Sequence, residues 1–155
     1  MKYTSTLIAV KNMEKAKQFY HSVLGLDIIA DFGANVTLTG GINLQTFDTW
    51  KDFIHKQDNE IIFGNNATEL YFEDDDIESF AAKLENFKNI EYVHPLFEHP
   101  WGQRVVRFYD LDKHIIEVGE SMVVVVKRFI DGGLTEEEVA AHMDVPLDYV
   151  VSCLA

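Results

Sequence analysis

Apolar positions along this chain recur with two periods, two for strands and about 3.6 for helices. Tyr3 to Val10 alternates well enough for a strand. Asn12 can then cap a helix whose apolar positions Met13, Ala16, Tyr20, Val23 and Leu24 follow helical spacing, and Gly25 ends it. Leu26 to Ala30, Asn35 to Thr39 and Ile42 to Phe47 predict three short strands, with Gly40-Gly41 as the turn between the last two. The pattern then returns. Thr68 to Glu73 is a strand, and Asp75 or Asp76 caps a helix with Ile77, Phe80, Ala81, Leu84 and Phe87 on its apolar face. Strands follow around Glu91 to Leu96 and in a closing hairpin. Sliding the sequence by 64 puts Met13 on Ile77, Ala16 on Phe80, Tyr20 on Leu84 and Ile8 on Phe72, which predicts an internal duplication of a βαβββ unit.

The closing hairpin carries the densest information. Gln103 to Tyr109 and His114 to Val118 flank Asp110-Leu111-Asp112-Lys113, where Asp at the first turn position bonds its own backbone. Val106, Phe108, Ile116 and Val118 mark the apolar face, so Trp101, Gln103, Val105, Arg107, Ile115 and Glu117 must face the other way. Two such units, each with a helix on one sheet face, predict an α+β fold. Its two βαβββ units form a curved mixed sheet around a cavity lined by the non-core strand positions. The units run from about 1 to 47 and 67 to 120, joined by 48 to 66, and residues 121 to 155 form a C-terminal helical extension. The connection, with Trp50, Phe53, Ile54, Ile61, Ile62 and Phe63, is long for a plain link. It is expected to be an arm covering the sheet edge rather than a substrate lid.

With 155 residues and 47% apolar content, the chain is one domain's length and can bury a core without metal or disulfide support. Cys153 is the single cysteine, and no basic N-terminal region precedes a long apolar run, so a reducing cytoplasm is the expected compartment and no membrane partner is expected. The formal charge of −13 repels phosphate backbones and argues against nucleic acid as a partner.

The segment HPWGQRVVRFYDLDKHIIEVGE resembles the closing hairpin of the vicinal-oxygen-chelate superfamily, which contains glyoxalase I, extradiol dioxygenases, epimerases and bleomycin- and fosfomycin-resistance proteins. FYHSVLGL, with Phe19, Tyr20, Leu24 and Gly25, and ELYFEDDDIESFAAKL from Glu69 to Leu84 extend the resemblance over roughly residues 3 to 120. It implies a small-molecule ligand and a homodimer. Metal-using members take four ligands, typically His and Glu, from the first and last strands of each unit. The matching positions here are Ser5, Asn43 or Gln45, Glu69 and Glu117.

Two carboxylates with an amide and a hydroxyl suit only a hard cation such as magnesium or manganese, whereas zinc, nickel or iron want imidazole or thiolate. Arg107 shares the face of Glu117 and can neutralise it without metal, so no cofactor is expected, and a divalent metal on Glu69 and Glu117 is the alternative. A lone strand carboxylate commonly lines only a solvated groove. The convergence of Glu69, Glu117 and Arg107 with Asn43, Gln45, Tyr71, Trp101 and Gln103 favours a ligand pocket instead. Trp101 suits stacking on a planar ligand or packing on the core. His21, His55, His94, His99, His114 and His142 form no ligand-spaced pair; among them His99 borders the expected pocket.

Two functional readings follow. In the first, the cavity binds a small polar or aromatic molecule without the family's usual metal. In the second, the protein is a lyase, isomerase or epimerase acting next to a carbonyl, with Glu69 or Glu117 as the catalytic base, so the two readings differ in whether it is an enzyme. Extradiol dioxygenase chemistry wants two His and one carboxylate that these positions lack. In the tail, Ser121 caps a helix through Met122 to Asp131, Thr135 and Glu138 form a capping box for a second helix to His142, and Pro146 starts a third through Cys153. This order resembles a helix-turn-helix. Residues 121 to 155 hold two basic and six acidic residues, so the apolar set Leu134, Val139, Met143, Val145, Val150, Val151 and Leu154 is expected to pack on the sheet or on a partner subunit rather than to read DNA.

Overall fold

The computed structural model describes residues 1–155, which divide into two compact units. The first comprises Met1–Thr68 with the turn Asp110–His114; the second comprises Glu69–Tyr109 and Ile115–Ala155.

In the first unit, β1 (Thr6–Val10), α1 (Met13–Leu24), β2 (Ile28–Asp31), β3 (Asn35–Leu38) and β4 (Ile42–Thr46) follow the predicted order. The sheet order is β1-β4-β3-β2, with β1 parallel to β4 and the other pairs antiparallel. Asn12 caps α1 by accepting from the backbone N–H of Lys15 at 3.0 Å. Met13, Ala16, Tyr20 and Val23 form the buried stripe of that helix, and Ile8, Val10, Val36, Leu38, Ile42 and Leu44 supply the facing sheet. Each of the valine, leucine, isoleucine and methionine side chains among them contributes about 1.5–3 kcal/mol when fully removed from water. The connection is partly helical. Its start is α2 (Phe47–Phe53), which packs on β1 and β4, and a 3₁₀ turn follows at Asp58–Glu60. Phe47, predicted to end a strand, opens this helix.

The second unit repeats the order with β5 (Glu69–Asp74), α3 (Ile77–Leu84), β6 (Glu91–Glu98), β7 (Arg104–Tyr109) and β8 (Ile115–Glu120), and its sheet order is β5-β8-β7-β6. Asp76 caps α3 as Asn12 caps α1, so the duplication extends to the cap. Phe87 falls outside α3, which stops at Leu84. The register Arg107↔Glu117 and Phe108↔Ile116 puts Arg104, Val106, Phe108, Ile116, Val118 and Glu120 on one face and Arg107 and Glu117 on the other.

Three helices complete this unit: α4 (Met122–Asp131), α5 (Glu136–Met143) and α6 (Leu147–Leu154). The capping box of Thr135 and Glu138 forms as expected. The apolar tail positions make a core of their own, in which Val125 and Val126 of α4 pack with Val139, Ala140, Met143 and Val150. Val151, expected to be a packing position, is 44% exposed because it is turned about 100° around α6 from the buried Val150. Charge and shape dock α4 on the sheet. Glu120 has 0% exposure, and Arg104 Nη2 at 2.5 Å and Arg128 Nη2 at 3.1 Å bind its carboxylate. Arg128 also donates to the carbonyl of Gly102 at 2.5 Å. Gly102, at φ +90, sits where any Cβ would collide with the ring of Phe129.

Burial raises the Glu120 carboxyl, but the bonds from Arg104 and Arg128 outweigh it and hold the group below its ordinary value. Glu120→Ala leaves two guanidinium groups without their buried acceptor and is expected to cost about 3 kcal/mol in urea denaturation. Glu78→Ala, which removes an exposed partner of Arg104, should cost about 0.5 kcal/mol. Equal losses in the two variants would refute this ranking.

Candidate functional site

On the non-core face of the second sheet, period-two alternation brings Glu69 and Tyr71 from β5, Arg107 from β7 and Glu117 from β8 to adjacent strands. Arg107 is the centre of this group. Its Nε donates to Glu69 Oε2 at 2.9 Å, its Nη2 contacts Glu117, and its Nη1 donates to His94 Nε2 at 3.3 Å. His94 accepts at Nε2 because its Nδ1 donates to the carbonyl of Pro95 at 2.9 Å, an assignment fixed by the partners. One guanidinium is thus shared among two carboxylates and an imidazole.

The two carboxyl groups respond differently. Burial pushes Glu117, 5% exposed, up to about 7 from the ordinary 4.5; Arg107 pulls it back and the neighbouring charge of Glu69 pushes it further. Glu69, more exposed, is lowered, with its hydrogen bond from Arg107 the largest cause. The pair therefore titrates as a unit and holds one proton to near neutral pH, with Glu117 its principal carrier.

A row of rings borders this cluster. His94 and Phe97 lie 4.6 Å apart edge to face, Phe97 and His99 also 4.6 Å, and His99 stacks on Trp101 at 4.0 Å with an 11° angle between planes. Trp101 is 39% exposed, so it stacks on His99 while leaving surface open. Burial, then Arg107 and His94, lower the His99 imidazole, which keeps the stacked ring neutral at neutral pH. Phe97, His99 and Trp101 alternate in the sequence and could have been read as one face. His94 was hidden because a register shift between His94 and Phe97 brings it into phase.

Gln103 is buried, and its amide is engaged inside the unit: Nε2 donates to Tyr71 Oη at 2.9 Å and to the Glu120 carbonyl at 3.0 Å, and Oε1 accepts from Trp101 Nε1 at 3.5 Å. It positions Tyr71 and Trp101. Tyr71 in turn donates to Glu73 at 2.8 Å, and burial followed by that bond pushes its hydroxyl up to about 12.

The first unit has its own polar face. Asn43 Nδ2 donates to Ser5 Oγ at 2.9 Å, while Asn43 Oδ1 is buried and has no hydrogen-bond partner. Gln45 is buried and engaged, accepting from Asn35 at 2.8 Å and donating to Thr49. Asn43 is therefore the one of the two amides with acceptor capacity left for a ligand.

The donors at the four positions matching the family's metal ligands do not fit zinc, nickel or iron. Neither imidazole nor thiolate is among them, and Arg107 places a permanent positive charge between Glu69 and Glu117, where a second cation would be repelled. No group of three or more His, Cys, Asp or Glu side chains is arranged to hold a metal ion.

The model of the glyoxalase-like domain matches residues 3–123. Among solved structures, a protein of unknown function from Agrobacterium tumefaciens str. C58 is 34% identical with a TM-score of 0.71, over 79% of this chain and 95% of that one. A glyoxalase/bleomycin resistance protein/dioxygenase family enzyme from Burkholderia phytofirmans PsJN is 12% identical with a TM-score of 0.66, over 77% of this chain and 98% of that one. A glyoxalase-related enzyme from Fulvimarina pelagi is 15% identical with a TM-score of 0.66, over 79% of this chain and 89% of that one. No curated protein matches the chain. No helix is long and apolar enough to cross a membrane. The matched span takes in both βαβββ repeats and the Arg107 face, and the chain belongs to the glyoxalase-like domain family of the vicinal-oxygen-chelate superfamily.

Proposed function

We propose that this protein binds a small polar, planar molecule on the face built around Arg107, with no metal required. The ring row from His94 to Trp101 beside a shared guanidinium carries the reading: Trp101 offers a partly open π surface, and Arg107 with Glu117 offers one donor and one protonatable acceptor. Asn43, with its unanswered carbonyl oxygen, offers a separate acceptor within the first unit. Gln103 and Tyr71 act by positioning.

A second reading rests on the Glu117 carboxyl at about 7, the range that suits a general base at neutral pH. A lyase, isomerase or epimerase acting next to a carbonyl would use Glu117 to accept the proton from carbon, with Arg107 stabilising charge that develops on the carbonyl oxygen. On a substrate that turns over, Glu117→Gln should abolish at least 99% of kcat; retained turnover would exclude this role. Pairing of two chains completes the proposal, with the exposed Ile28, Ile29 and Phe32 around edge strand β2 as the apolar surface to be covered.

Arg107→Ala is expected to weaken binding of a planar carboxylate such as benzoate at least tenfold, about 1.4 kcal/mol, while thermal unfolding of the free protein shifts by only a few degrees. Magnesium, manganese or zinc should leave the melting temperature unchanged. A stoichiometric metal in the purified protein would overturn the metal-free version.

The proton on Glu117 makes a further measurement decisive. Its folded pKa, about 7, exceeds the ordinary 4.5, so between those values the folded state binds more protons than the unfolded state, and this group's stabilising contribution declines as pH rises through that window. Wild-type protein should lose stability relative to Glu117→Gln from about pH 4.5 to about pH 7, measured by urea denaturation at each pH. Parallel profiles would show that Glu117 titrates normally.

A further inference from the structure

A separate concave site lies wholly within the first unit, on residues that the Arg107 face does not use. A cavity of about 210 Å³ is lined by Leu7, Ala9, Trp50, Phe63, Asn65 and His114, among others. His114 is held there with unusual firmness. Its Nδ1 donates to Asp110 Oδ2 at 2.8 Å, and its backbone N–H donates to Asp110 Oδ1 at 2.8 Å. The same carboxylate accepts from the hydroxyl of fully buried Tyr20 at 2.8 Å and from the backbone N–H of Asp112 at 2.9 Å. With four donors aimed at it, Asp110 stays ionised, and in the neutral His114 imidazole it selects the tautomer with the proton on Nδ1 and the lone pair on Nε2. The imidazole is thus an oriented hydrogen-bond acceptor at the wall of the cavity.

The rest of the lining narrows the ligand. Phe63 meets His114 edge to face at 5.9 Å, and Lys11 covers the Phe63 ring at 4.4 Å, so Trp50 is the aromatic wall whose face is left for a guest. The volume exceeds the roughly 150 Å³ that admits benzene and falls short of the roughly 300 Å³ at which drug-sized pockets begin, which selects a single ring. Gly64, at φ +71, brings the arm against Lys113, where a Cβ would stand 3.2 Å from the lysine Cβ, so the wall is built on a position suited to glycine.

We propose that this cavity binds a single aromatic ring bearing a hydroxyl group, the ring against Trp50 and the hydroxyl donating to His114 Nε2. Phenol and its methyl ether anisole test the idea, because the two rings match and only phenol carries the donor. The chain has two tryptophans, so Trp101→Phe makes fluorescence report on Trp50 alone. Phenol should quench it saturably, with anisole at least tenfold weaker, and phenol should shift the Nε2 resonance of His114 in nitrogen-15 spectra of the wild-type protein. His114→Phe should remove the preference for phenol; if that variant fails to fold, the two-ligand comparison and the histidine resonance still decide. Equal affinity for phenol and anisole, an unmoved His114 resonance, or no saturable quenching would overturn the proposal.

Discussion

Glu120 ends β8, an inner strand of the second sheet, with no access to water, and the unit depends on how that charge is answered. An isolated carboxylate there would carry a desolvation cost of several kcal/mol. Arg104 reaches it from β7 and Arg128 from α4, so one anion joins the closing hairpin to the C-terminal helices. The same pairing explains why Phe129 can close over Gly102: once Arg128 is fixed between Glu120 and the Gly102 carbonyl, the adjacent ring has only the space a missing Cβ leaves. Asp110 is the first unit's version of this solution, with backbone, tyrosine and histidine donors in place of guanidinium.

On the opposite face of the second sheet, incomplete compensation is what makes chemistry available. Arg107 is divided among Glu69, Glu117 and His94, so its field is insufficient to hold both carboxyls ionised against burial. Glu120, with two cations for one carboxylate, is lowered; Glu117, with part of one cation, is raised. Two glutamates three residues apart on one strand thus have opposite proton affinities.

The element order was legible because each element rests on local rules. Asn12 and Asp76 as caps, the helical stripes that follow them, the alternation along β7 and β8 and the capping box at Thr135 all appear where side-chain periodicity and backbone hydrogen bonding require. The face shared by Glu69, Arg107 and Glu117 was legible for the same reason, since the period of a strand is two whatever it packs against. The arm was less so. Phe47 fits a strand end as well as a helix start, and its choice follows from α2 packing on β1 and β4.

By itself, the sequence determined the repeated βαβββ order, the helical tail and which strand residues share a face. Only the tertiary structure decided which of those residues keep free hydrogen-bonding capacity and which proton each carboxyl holds. Gln103 and Gln45 look as available as Asn43 in the sequence, yet both amides are engaged within their units while Asn43 Oδ1 is left without a donor. The His114 imidazole reads as a turn residue until Tyr20, distant in sequence, joins it on Asp110. The reason is physical: periodicity is a property of the backbone and is written locally, whereas desolvation and hydrogen-bond competition depend on every group that packing brings within a few ångströms.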